Sequence, residues 1–201
     1  MRLFRYHVGV LGKAASVTPL LSLALPLISG VRRHRHSMTP ISIGRIATAN
    51  LDLFLLSLSS PADLDATISL ASSHFGCFIA WNARAQSAMS ILSVIELLMR
   101  SGASYFCCWG DDCERVHDII DEIDAAPDEE LASPFNAVRT TTWHDEESLG
   151  EAIEFFLTTT LAHEHYEPTT RSALVLIIGD NKFASEVRKT LLTKMADSGA
   201  A

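Results

Sequence analysis

The sequence lacks the short signatures that announce most chemistries. No C-x-x-C and no H-E-x-x-H occurs in its 201 residues, which removes the usual redox and zinc motifs. No G-x-G-x-x-G or GxxxxGK[ST] loop is present to cradle a nucleotide phosphate, and no G-x-S-x-G to present a nucleophile. No cysteine is followed six residues later by arginine, so a phosphatase-type loop is excluded as well. Cysteine is scarce: Cys77, Cys107, Cys108 and Cys113 are all there is. Three of them fall in apolar strand-like runs, where a free thiol behaves as a small hydrophobe. Adjacent Cys107 and Cys108 would point to opposite faces of a strand. This is no disulfide framework, and a reducing, cytoplasmic setting is the expectation.

Acidic residues are missing from the first fifty positions, which carry seven Arg and Lys. The remainder then holds nine basic and 24 acidic residues, a net charge of −15. A body this acidic repels phosphate backbones and anionic lipid, so neither nucleic acid nor a membrane is an expected partner of residues 38–201. A basic protein partner or a small molecule suits it better. The sequence names no cofactor.

The N-terminal stretch differs in kind. Arg2, Arg5 and Lys13 precede an apolar run from Ala14 to Val31, and the block Arg32-Arg33-His34-Arg35-His36 follows. The run is short for a membrane span and is broken by Pro19 and Pro26. Its arginine-rich, acid-free composition fits a transit peptide, whereas for a signal peptide it has the basic start and apolar middle but no convincing small-x-small cleavage site before the basic block. A further reading takes Met38 as the true start. The expectation is that residues 1–37 form an extension dispensable for folding, and that residues 38–201 form one α/β domain.

Within that domain the periodicity alternates. Residues 51–58 are apolar and ambiguous between strand and helix. Ser60-Pro61 with Asp63 predicts a helix start that runs to about Ser73. Strands are predicted at Phe75–Trp81, Tyr105–Trp109, Ala137–Trp143 and Ala173–Ile178. Helices are predicted at Ser87–Arg100, Asp112–Asp124, Glu146–Leu161 (started by Asp145) and Lys182–Met195. The acidic, proline-bearing segment Ala125–Pro134 and the stretch HEHYEPTTR read as loops. Strands separated by helical crossovers imply a three-layer sandwich, with a mainly parallel sheet of four to five strands and helices on both faces.

The polar residues gather where strands hand over to helices. Trp81-Asn82, Trp109-Gly110-Asp111-Asp112, Trp143-His144-Asp145 and Gly179-Asp180-Asn181 all fall there, on the edge where parallel sheets bind ligands. Trp81, Asn82, Trp109, Asp111, Asp112, Trp143, His144, Asp180 and Asn181 are therefore the ligand-binding candidates. Helix capping is the competing explanation for Asp112, Asp145 and Asp180. Acids around His144 are expected to raise its pKa. Cys113 and His117 stand one helical turn apart and are weak candidates for a metal pair. His163 and His165 read as solvated loop residues.

The strings WGDDCERVHD and TTWHDEESLGEAIEFFL resemble an uncharacterised bacterial family of small α/β proteins, a domain of unknown function. The shared pattern is WGxDCExxHD followed by WHD, over roughly residues 75–180. The resemblance places Trp109, Gly110, Asp112, Cys113, Glu114, His117, Asp118, Trp143 and His144 in the recognisable part and implies no established activity. Two readings follow: a non-enzymatic binding or regulatory module using the carboxyl edge of the sheet or the acidic helix, or a small hydrolase using Asp111, His144 and Asp180 at the same edge.

Overall fold

A computed structural model describes residues 39–47, 49–125, 139–159 and 162–197. The extension at residues 1–37 and the acidic loop from residue 126 on lie outside the described residues. In chain order the elements are β1 (Ile41–Ile46), β2 (Leu51–Leu58), β3 (His74–Trp81), α1 (Ala88–Arg100), β4 (Ala103–Trp109), α2 (Cys113–Ala125), β5 (Thr140–His144), α3 (Leu149–Thr159), β6 (Thr170–Ile178) and α4 (Asn181–Asp197). The strands form one mixed sheet in the order β1-β2-β6-β3-β4-β5. Only β1 runs antiparallel, against β2. The other four pairings are parallel.

The sheet thus has six strands, beyond the four to five expected. The ambiguous run at 51–58 is β2, and β1 was not anticipated. Its sequence ISIGRI carries a glycine and a register shift between Ser42 and Gly44, and it lies on the edge, with Ile41 64% exposed. An edge strand with a bulge and one wetted side has no clean apolar alternation to read.

Side-chain alternation divides the core in two. Along β6, Leu174, Leu176 and Ile178 pack with Ile91, Val94, Ile95 and Leu98 of α1 and Val116 and Ile120 of α2. The intervening Ala173, Val175 and Ile177 pack with Ala152, Ile153 and Phe156 of α3 and Val187 and Leu191 of α4. The period-2 strand pattern and the i, i+3, i+4, i+7 spacing on α1 are the local causes. Each fully buried Leu, Ile or Phe contributes about 1.5–3 kcal/mol relative to exposure. Cys107 and Cys108 fall into opposite clusters, as a strand requires, and all four thiols are free and buried.

Two helix boundaries differ from the sequence reading. The helix expected over 61–73 is a single 3-10 turn, Pro61–Asp63, closed by a reciprocal cap between Ser60 and Asp63. It does not propagate, because the Ile68 amide donates to Ser101 Oγ at 2.8 Å, which a continued helix would not permit. A tertiary contact overrides local propensity there. The second difference is the start of α3. Asp145 is not its cap. Ser148 and Glu151 form the capping box instead, with Ser148 N–H donating to Glu151 Oε2 at 2.9 Å and Glu151 N–H to Ser148 Oγ at 3.3 Å. Residues 145–147 are left as a bend at the end of β5.

Among the described residues, no helix is long and apolar enough to cross a membrane.

Candidate functional site

The carboxyl ends of β3, β4 and β5 enclose a cleft of 470 Å³. Its wall begins with the loop after β4. Gly110 has φ +122°, and a Cβ there would lie 2.4 Å from the carbonyl oxygen of Trp81. Only glycine permits this approach of the β4 loop to the end of β3. Hydrogen bonds then stitch the two loops together. Asn82 Oδ1 accepts from the Asp111 amide at 3.0 Å, and the Asp111 carbonyl accepts from the Ala83 amide at 2.8 Å. Asp112 follows at φ +66°, outside the extended backbone of a capping residue, and its carboxylate accepts from Arg115 Nε at 2.7 Å. Arg115 also donates to the carbonyls of Gln86 and Ala83, clamping the β3–α1 connection to α2.

The opposite wall comes from the bend after β5. Because Ser148 caps α3, Asp145 and Glu147 are released to line the cleft. Trp109 Nε1 donates to the Glu147 carbonyl at 3.1 Å, and its ring lies parallel to Phe183 of α4, with centroids 6.2 Å apart. Arg84 is the one basic lining residue, and it pairs with Asp111 at 2.5 Å. Against it stand Asp111, Asp112, Glu114, Asp145 and Glu147.

His144 ends β5 in register with Trp109 and lines the same cleft. It is 4% exposed, with its ring against Phe155 at 4.6 Å. Nδ1 is 3.8 Å from Glu147 Oε2, and the buried Nε2 has no hydrogen-bond partner. Burial pulls its pKa below the ordinary 6.5, against the opposite pull of Glu147 and Asp145. The expected upward shift is therefore corrected: removing the ring from water outweighs the two carboxylates. Cys113, also in the lining, is buried, and desolvation pushes its thiol up despite the nearby amides of His144, Cys113 and Gly110. A protonated thiol is a poor nucleophile at neutral pH.

Five of the nine binding candidates, Asn82, Trp109, Asp111, Asp112 and His144, share this cleft. Trp81 is 2% exposed in the α1/α2 core, and Trp143 packs on that same side against His117, with ring centroids 4.3 Å apart. Asp180 and Asn181 do not line it; Asp180 Oδ1 caps α4 by accepting from the Phe183 amide at 2.8 Å. Of the metal pair, the nitrogens of His117 face Asp118 and Asp121, each at 3.5 Å, while Cys113 faces the cleft. Among the described residues, the one trio of His, Cys, Asp or Glu whose ligand atoms converge includes neither of them. Sequence reasoning missed Arg84, Glu114, Asp145 and Glu147 as lining residues. The S-x-x-E string at 148–151 was the available signal for the last two, since it moves the helix start beyond them.

No curated protein and no solved structure matches the chain. Residues 53–194 match the family model described as Domain of unknown function (DUF7684), and the chain belongs to that family.

Proposed function

We propose that the chain is a non-enzymatic binding module, a three-layer α/β domain of the cytoplasm. Its acidic cleft receives a cationic group, a lysine or arginine side chain of a basic protein partner. The observation that carries this reading is the lining itself: five carboxylates, of which Asp111 is paired to Arg84 and Asp112 to Arg115, with Glu114, Asp145 and Glu147 beside them. Solvent-reached carboxylates beside an aromatic wall favour a cation both by charge and through the ring face of Trp109. The −15 charge of residues 51–201 would draw such a partner in from a distance. A small cationic molecule would use the same groups.

The hydrolase reading has less support. Asp180 is engaged in capping, Asp111 in an ion pair, and the Cys113 thiol is held protonated. Calorimetric titration of the full chain with a lysine- and arginine-rich peptide tests the proposal, at about 50 mM and about 300 mM salt. Binding should weaken at the higher salt and in Asp145→Asn/Glu147→Gln. Absence of binding at both salt levels, or binding indifferent to the double substitution, would overturn it.

A further inference from the structure

The connection between α3 and β6 holds a second cluster, at the amino end of β6 and so on the opposite edge of the sheet from the cleft. His163 Nδ1 and His165 Nδ1 are 3.2 Å apart, and Glu164 Oε1 lies 3.9 Å from His165 Nδ1. All three ligand atoms fall within 4.8 Å of one another. The imidazole rings are nearly parallel, at 15°, with centroids 5.0 Å apart.

We propose that His163, Glu164 and His165 form a three-ligand site for a borderline divalent transition cation of the Zn²⁺ class. Two imidazole nitrogens at about 2.05 Å from a tetrahedral zinc stand about 3.3 Å apart, with ring centroids about 5.2 Å apart. The separations of 3.2 and 5.0 Å match those spacings, and rotation of the stacked rings about their Cβ–Cγ bonds would bring both lone pairs onto one ion. The mixed set of two imidazoles and one carboxylate is the donor chemistry such ions take. The exposed carboxylate, 3.9 Å from His165 Nδ1, closes the set by a side-chain rotation that brings it to the tetrahedral ligand spacing of about 3.3 Å from both nitrogens.

The backbone holds the ligands in place. The His163 carbonyl accepts from the amides of Tyr166, at 2.8 Å, and Glu167, at 3.1 Å. Tyr166 is 1% exposed, with its ring edge-on to His74 at 4.9 Å, so the turn is anchored in packed structure. The His165 amide donates to His163 Nδ1 at 3.4 Å, a long hydrogen bond to the same lone pair, which a cation bound there would displace. Three protein ligands leave the fourth position to water or to a donor from a second molecule.

The test is calorimetric titration of the full chain with Zn²⁺, together with Co²⁺ absorption as a report on ligand geometry. One equivalent should bind and should vanish in His163→Ala and in His165→Ala. Glu164→Gln should weaken it about tenfold or more, since even the partners of ligands are worth 10–100-fold. His34→Ala/His36→Ala controls for the N-terminal His-Arg-His string and should leave that equivalent intact. Thermal melts in chelator should match the wild type for the loop variants, and His165→Gln serves should an alanine variant fold poorly. A stoichiometry unchanged by the His163 and His165 substitutions, or no Zn²⁺ uptake by the wild type, would overturn the site.

Discussion

Replacing Gly110 with alanine should destabilise the domain and loosen the cleft together. Two independent terms set the size. At φ +122° an L-residue is strained by about 1–3 kcal/mol. The new Cβ would also sit 2.4 Å from the Trp81 oxygen and 2.8 Å from its carbonyl carbon. Both are backbone atoms of a strand paired on each side, to β4 and β6, so neither can rotate away. The loop after β4 must retreat instead, which threatens the Asp111–Asn82 and Ala83–Asp111 hydrogen bonds, at about 1 kcal/mol each. The expected loss is about 2–5 kcal/mol, or roughly 5–15 °C in Tm for a domain of this size. Urea unfolding followed by tryptophan fluorescence reads it directly, because Trp81 and Trp109 flank the substitution. Gly150→Ala is the matched control. Its Cβ would meet nothing closer than the flexible Lys194 Cε at 3.4 Å, inside α3, so that change should be neutral or stabilising by up to about 1 kcal/mol. Should Gly110→Ala shift stability no more than Gly150→Ala does, the close approach of the β4 loop to β3 is wrong, and the cleft wall with it.

His144 has a folded pKa depressed below 6.5, so the unfolded chain binds its proton more readily. The stability tied to its neutral form is complete above 6.5 and is lost as pH falls through 6.5 toward the folded value, with a slope of at most about 1.4 kcal/mol per pH unit. The stability difference between wild type and His144→Gln, measured from pH 7.5 to 5, should shift against the wild type as pH drops; a flat difference would contradict a buried neutral ring. Asp124 accepts from the Arg139 amide at 2.8 Å and pairs with its guanidinium at 2.5 Å, with both side chains 7% exposed. Asp124→Ala should therefore cost about 3–5 kcal/mol in chemical denaturation, and a loss under 1 kcal/mol would show the pair to be dispensable. A chain starting at Met38 should melt within a few degrees of the full chain; a drop of ten degrees or more would show that residues 1–37 pack into the core.

The sequence determined what depends on neighbours along the chain. The spacing Ile91, Val94, Ile95, Leu98 placed α1, and the unbroken run from Ala173 to Ile178 placed a strand covered on both faces, because helix and strand periods are local geometric facts. The gathering of Asn82, Asp111, Asp112 and His144 at one edge followed from parallel order, which helical crossovers impose. The tertiary structure decided the rest. Strand order, with β6 between β2 and β3, rests on pairing between residues 96 to 120 positions apart, and no local pattern encodes it. The tryptophans show the same limit on a smaller scale. All three stand at strand ends, yet Trp109 pairs in register with Ala80 and with His144, so Trp81 and Trp143, each one residue off, face the other side of the sheet. A shift of one residue in register would reverse that assignment, and register is fixed by the packing of whole strands. The acids of the cleft were in view from the start, but whether Asp145 and Glu147 capped a helix or faced a cavity turned on which residue closed the first turn of α3. Ser148 does so, by reaching the Glu151 amide while Glu151 reaches back.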